Sequence, residues 1–474
     1  LAFGFSALGA VRVVNIALQH STWALNRWAR LGTVVVLCCL VAVLTSEPAF
    51  SARTKLIRDA EIESTIRNLA TPLLKAAGLA PNDVRIHLVK NDGLNAFVAG
   101  GMRIFFYTGL LQNTKSPNEL AGVLAHEIGH IPGGHLARTR DELRGATATT
   151  VLAAVLGVAA AVVSGDGAVG AAVALGGQSA AQRNLLKYSR TQESAADQAA
   201  LNLLDATGQS ARGLQSFMRL IGSQELLLSS QQDPYLRTHP FSRDRVQAIE
   251  RHLSRSRYTD TPDTAEALRA HQRMIAKLDG FLSPVSRVLA KYPETDTSLS
   301  AAYARAVAYH RRGEFERSDR EADSLVARAP DDAYFWELLG QVKMERGQIG
   351  EAVIAYEKAL ALSNRQPLIT IAYAHAVIQS GDAARLDGVV PILKDAVLRD
   401  GQTSSGWRLL ATAYGKQGRL GLAALALAEA EWRIGRPKRA LQQALRAQQE
   451  LKKGSGDWLR AEDLRLAAQR VLNR

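Results

Sequence analysis

Cysteine is nearly absent from this chain. Cys38 and Cys39 are the two among 474 residues, adjacent and inside an apolar run. The rest of the protein therefore has no disulfide and no thiolate ligand, so any metal must be held by histidine and carboxylate. Basic runs interleaved with aromatic residues are missing too. The formal net charge is +13, yet lysine and arginine are scattered, mostly opposite apolar helical positions in the C-terminal half. That pattern describes a solvated basic surface and argues against nucleic-acid binding. Apolar residues make up 47% and charged residues 22%, which excludes wholesale disorder. The length allows two or three domains, each with its own core.

Long apolar runs are scarce, and two stand out. Arg27 and Arg30 precede Leu31 to Leu44, after which Ala49-Phe50-Ser51 offers a small-x-small cleavage site. The run is short for a span, which needs about 20 residues, so residues 1–52 are expected to be a leader with a cleaved signal peptide. The alternative is an uncleaved anchor formed by residues 31–44. The second run, residues 146–177, is almost uncharged and is broken by Ser164-Gly165-Asp166-Gly167. Its plainer reading is a buried or dimerising helical hairpin; the other is a membrane-dipping element making peripheral contact.

Between these runs the pattern is that of an α+β domain. Residues Ile57 to Ala77 have helical periodicity, Val84 to Val89 read as a strand, and Ala96 to Tyr107 are extended around Gly100-Gly101. Ser116-Pro117-Asn118-Glu119 is a helix start: Ser can cap, Pro fits the first turn, and Glu completes a capping box. This domain is expected over residues 53–258, followed by linker helices over 259–296.

From residue 297 to 474 the chain is helical and repetitive. Glycines 313, 347 and 381 recur every 34 residues, and Gly418 follows. Trp336, Leu339, Gly340, Gly347, Ala352, Tyr356 and Ala359 fall in the register of a tetratricopeptide (TPR) repeat, as do Trp407, Ala411, Tyr414, Gly418, Ala423, Leu427 and Ala430. An all-α TPR solenoid presenting its concave face to a protein partner is expected, with Gly435 and Ala440 in one more irregular pair.

The chemical centre is His126-Glu127-Ile128-Gly129-His130. Residues four apart on a helix are about 40° apart around its axis, so both imidazoles project towards one ion. Zinc, one per chain, lowers the pKa of its bound water, and Glu127 is placed to accept that water's proton. A catalytic zinc needs a third protein ligand. His135 is badly phased for that role. In Gln192-Glu193-Ser194-Ala195-Ala196-Asp197 the carboxylates share a helical face, so Glu193 can ligate while Asp197 orients a ligand histidine. Taken alone, such a pair more often marks a solvated face.

These residues, with Asn95-Ala96-Phe97 and Thr238-His239-Pro240…Arg243-x-Arg245-Val246, resemble the CAAX-prenyl-protease/HtpX-type zinc metalloproteases. The resemblance implies a mainly α protein: a zincin-like α+β metalloprotease domain followed by the TPR solenoid. It implies that His126, His130 and Glu193 hold zinc, that Glu127 is the general base, and that Asp197 and Arg245 stand behind the ligands. His239 would be a switchable fourth ligand or a transition-state stabiliser, and Asn95, Ala96 and Phe97 would pair with substrate backbone. It further implies a periplasmic endopeptidase acting on unfolded or misassembled envelope and outer-membrane proteins, with the repeats binding clients or envelope assembly machinery. A scaffold with little proteolysis and a membrane-integral protease are the rival readings. One departure is Pro132, two residues past the second histidine, where the helix is expected to kink.

Overall fold

The computed structural model describes residues 55–100, 102–134, 189–222, 235 and 239–473. The apolar runs 31–44 and 146–177 lie outside them, as do His135 and Thr238. Among the described residues, no helix is long and apolar enough to cross a membrane.

A short strand β1 (Leu56–Ile57) leads into helix α1 (Ala60–Ala76), whose N-cap Asp59 accepts from the Ile62 N–H. Strands β2 (Arg85–Val89), β3 (Ala96–Ala99) and β4 (Arg103–Tyr107) follow. Among the described residues they form a sheet ordered β1-β2-β4-β3, with β2 and β4 parallel and β3 and β4 an antiparallel hairpin. Alternation along each strand places Ile86, Leu88, Ala96, Val98, Ile104 and Phe106 on a buried face. They pack with Ile62, Ile66 and Leu73 of α1 and with Leu120, Val123 and Leu124 further on. Each large side chain buried there contributes about 1.5–3 kcal/mol. Among the described residues, strand β3 is an edge.

A six-residue helix α2 (Thr108–Asn113) precedes α3 (Pro117–His130). The Ser116 hydroxyl accepts from the Glu119 N–H at 3.2 Å. The Glu119 carboxylate reaches back to the Lys115 N–H at 2.7 Å, one residue earlier than in a regular capping box. Rather than kinking at Pro132, the helix ends at His130; proline has no N–H to extend the ladder. A helix α4 over residues 189–206 follows, then α5 (Arg212–Gly222) and α6 (Arg243–Leu253).

Helices α7 (Ala265–Leu282) and α8 (Val285–Lys291) occupy the stretch expected as linker. Helix α7 is wedged rather than loose. Its His271 meets the Thr114 hydroxyl at 2.8 Å, and its Asp279 accepts from Gln112 at 2.8 Å. The repeats then form five helix pairs: α9 (Leu299–Arg312) with α10 (Phe315–Arg328), α11 (Ala333–Glu345) with α12 (Ile349–Leu362), α13 (Pro367–Ser380) with α14 (Ala383–Asp400), α15 (Ser404–Lys416) with α16 (Leu420–Arg433), and α17 (Pro437–Glu450) with α18 (Gly456–Leu472). The periodic glycines close the first helix of a pair in the left-handed region, Gly347 at φ +77° for example, a conformation costly for any residue with a Cβ.

The N-terminal domain is seated on this array through the N-terminus of α1. Ala60 belongs to the repeat core, beside Ala333, Tyr356 and Ile369. Glu61, 2% exposed, accepts from the Tyr303 hydroxyl at 3.0 Å and pairs with Arg273 at 2.6 Å and Lys277 at 3.4 Å. Lys277 also meets Asp59 at 2.8 Å, and Arg58 pairs with Asp400 and donates to Thr403. Part of the array's surface is thus covered by the chain's own helix. Leu56 to Arg474 form one unit.

Candidate active site

His126, Glu127 and His130 project from the last turn of α3, whose whole length is buried. Gly129 allows α4 to approach: a Cβ there would stand 2.9 Å from the Ala196 carbonyl oxygen. That contact brings Glu193 and Asp197 over the two histidines. His239 enters from the segment before α6. One nitrogen or carboxylate oxygen from each of His126, His130, Glu193 and His239 lies within 4.8 Å of the others.

The spacings within this cluster are those of groups sharing a centre. His126 Nε2 lies 3.2 Å from His130 Nε2 and 3.3 Å from His239 Nδ1. His239 Nδ1 lies 3.1 Å from Glu193 Oε2, which is 3.3 Å from His126 Nε2. Three imidazole nitrogens so close repel one another unless protons or a cation stand between them. Burial opposes a charge on His126, but the Asp197 and Glu193 carboxylates outweigh it and raise its pKa to about 10. Burial likewise opposes charge on Glu193, and the adjacent His239 together with hydrogen bonds from His126 and His239 holds it well below the usual carboxylate range. The cluster is therefore a buried acceptor set that binds positive charge, and its three nitrogens and one carboxylate are the donors a zinc or similar cation takes.

Behind the cluster, His126 Nδ1 meets Asp197 Oδ1 at 2.9 Å, which fixes the imidazole with Nε2 facing inward. Arg245 grips Asp197 with two bonds, at 2.6 and 2.9 Å, reaches Glu193 at 3.1 Å and donates to the Pro240 carbonyl at 2.8 Å. One guanidinium thus ties α4 to the backbone beside His239. Burial opposes the charge on Asp197, and the Arg245 and His126 hydrogen bonds lower it to about 2.

Glu127 is different. It is fully buried, and neither carboxylate oxygen has a well-formed hydrogen bond. Burial raises its pKa, offset by the charges of His239 and His126, with only a minor pull from the Val98 backbone. His239 Nε2 stands 3.5 Å from Glu127 Oε1 and 3.3 Å from the Ala96 carbonyl oxygen. Ala96 and Phe97 open strand β3, with Asn95 immediately before it, and the strand meets the cluster through the Ala96 carbonyl, 3.3 Å from His239 Nε2.

One participant escaped the sequence reading. Tyr235, 1% exposed, stacks on His239 at 4.4 Å and 24°, with Phe217 edge-on behind it at 5.1 Å. Its N–H bonds the Leu94 carbonyl, and its carbonyl accepts from the His239 N–H at 2.7 Å. An aromatic four residues before a histidine is a weak signal outside a known helix, and no local pattern marked it.

With this geometry in view, the comparisons with known proteins agree on a class. Residues 56–253 match the model of Peptidase family M48, and residues 324–436 match that of the Cytochrome c-type biogenesis protein H TPR domain. The chain carries an M48 metallopeptidase domain ahead of TPR repeats. Its relatives include the Beta-barrel assembly-enhancing protease of Yersinia pestis, 24% identical over 77% of this chain and 75% of the relative. The protein of that name from Escherichia coli (strain K12) is 23% identical over 84% and 81%. Metalloprotease YcaL of Escherichia coli (strain K12) is 32% identical over 36% of this chain and 61% of its own length.

Proposed function

We propose that this metallopeptidase is a zinc-dependent endopeptidase of the periplasm that cleaves misassembled or misfolded envelope proteins, its TPR repeats receiving the client or an assembly partner. One observation carries the reading. A fully buried carboxylate without a well-formed hydrogen bond, Glu127, stands beside the His126, His130, Glu193 and His239 cluster, next to the edge strand of the described sheet. Zinc and the compartment rest on the donor set and on the likeness to the proteases above.

In this reading His126, His130 and Glu193 hold the ion. When bound, zinc supplies a Lewis acid for the scissile carbonyl and acidifies water. Glu127, with its pKa raised by burial, accepts a proton from the attacking water at a carboxylate oxygen and returns it to the departing amine. Asp197 keeps His126 in the ligating tautomer, and Arg245 holds Asp197 in place. Strand β3 offers backbone groups to an extended substrate. His239 spans the cluster through Nδ1 and the Ala96 carbonyl through Nε2. That placement fits a resting-state ligand that also covers part of the substrate edge.

Metal analysis of the purified full-length chain, paired with Glu193→Gln, tests the core of this reading. One zinc per wild-type chain, lost in the variant, together with peptide cleavage abolished by a chelator and restored by zinc, is the expected result. Cleavage that persists without metal would overturn it.

A further inference from the structure

The face of the sheet turned away from the metal cluster carries a row of rings. His87 of β2 stacks on Phe105 of β4 at 4.7 Å and 15°, and Phe105 stacks on Phe97 of β3 at 5.0 Å and 9°. Tyr107 meets Phe97 edge-on at 6.1 Å. These four side chains are half-buried. The ring spacing matches the separation of neighbouring strands, about 4.8 Å, so the stack steps one strand at a time and stops at Phe97 because β3 is the edge. Burial and the charges of Arg103, Arg58 and Arg85 lower the His87 pKa to about 4. The row is therefore neutral at physiological pH, and its cationic neighbours disfavour a positive guest.

The register fixes what would come next. Tyr107 donates its N–H to the Asn95 carbonyl, so Asn95–Tyr107 and Phe97–Phe105 are hydrogen-bonded pairs within the hairpin. Ala96 and Val98 then turn their backbone groups to the open edge, as the approach of His239 to the Ala96 carbonyl shows. A strand added antiparallel there bonds to Ala96 and Val98, taking the place of His239 at the Ala96 carbonyl and of the Glu127 carboxylate at the Val98 backbone. Its residue opposite Phe97 forms a non-hydrogen-bonded pair, the kind in which Cα atoms approach to about 4.5 Å and side chains are closest.

We propose that Phe97 is a specificity-determining residue: the position of an extended polypeptide that lies across from Phe97 selects an aromatic side chain, which continues the His87–Phe105–Phe97 stack. The inference rests on the endopeptidase reading and names the substrate class that site prefers: extended chain segments with an aromatic residue at that position. A flat ring opposite Phe97 gains offset stacking that an aliphatic or polar residue does not.

The test compares peptides of about ten residues, long enough to add one strand, identical except that alternate positions carry Tyr, Leu, Thr or Lys. Binding is read by fluorescence anisotropy on zinc-loaded full-length Glu127→Gln protein, and cleavage on the wild type with product mapping by mass spectrometry. The Tyr peptide is expected to bind about fivefold more tightly than the Thr peptide, the size of one aromatic pair, with Leu between and Lys weakest. Aromatics should fall at positions of one parity relative to the cut bond. Phe97→Thr, which keeps strand propensity, should bring the Tyr-to-Thr ratio to near one; Phe97→Leu, which keeps bulk, should bring it to the Leu level. Equal binding of Tyr and Thr peptides, Lys bound as tightly as Tyr, or a ratio unchanged in both variants would overturn the proposal. Discrimination by the Glu127→Gln protein with no cleavage by the wild type would overturn the endopeptidase reading while this preference stands.

Discussion

Two of the regions in which this molecule buries charge treat it in opposite ways. At the seat of α1 on the repeats, Glu61, Lys277, Arg273 and Asp59 are buried or nearly so, and each meets an opposite charge at hydrogen-bonding distance. At the end of α3, Glu127 has no such partner, and three histidines crowd one point. Satisfied buried charge fixes a geometry, because removing either partner strands the other in low dielectric. Unsatisfied buried charge is a cost that folding tolerates where chemistry needs a reactive group.

The strongest way to break that contrast is Glu127→Gln. Glutamine keeps the shape and loses the proton acceptor, so turnover of a short peptide should fall by about 10²- to 10⁴-fold, while bound zinc and thermal stability stay as in the wild type. Unchanged turnover would show that Glu127 is merely a stranded carboxylate. At the other region, Lys277→Met should leave Glu61 and Asp59 short of a cation and cost about 3–5 kcal/mol of stability. That would appear as a lower urea midpoint, shared by catalytic and repeat halves in one transition. Two separate transitions, with only the repeats shifted, would mean that the halves fold independently.

A third measurement sharpens the comparison through pH. Burial lowers His271, packed at 2.8 Å from the Thr114 hydroxyl, from 6.5 to about 4. Its folded pKa lies below its unfolded one, so between pH 6.5 and 4 the unfolded chain binds more protons. Stability is therefore lost as pH falls through that window, by about 2 kcal/mol from pH 7 to pH 5 for this group alone. His271→Gln should flatten that part of the urea-derived profile, and a profile identical to wild type would show that His271 is not kept neutral by the fold. The smallest expected effect is His239→Ala. If the side chain is a resting ligand that covers the Ala96 carbonyl, peptide turnover should rise severalfold. A fall of about 10²- to 10³-fold would instead assign it to stabilising the transition state.

Legibility followed the range of the interaction. The His126–His130 pair, the Ser116 cap and the 34-residue period are encoded within one or two turns or one repeat, and the helices and repeats they announce are where they were expected. The sequence also announced Pro132, but as a kink; the end of α3 at His130 shows the missing N–H acting at a terminus. Glu193 was ambiguous because an acidic pair on a helix face looks the same whether it meets solvent or a metal. Gly129 is what lets α4 close over α3 and brings Glu193 among the histidines.

The sequence alone determined the chemistry available to this protein: two histidines and a carboxylate on one helical face, a metal site without thiolates, and a repeat array behind it, all set by backbone periodicity. Tertiary structure alone decided which distant groups meet around it and at what distance. His239, its stacking partner Tyr235, and the meeting of Glu61 with Tyr303, 242 residues away, depend on how helices and strands pack. Packing is a matter of volume and distance in three dimensions, and no local pattern records it.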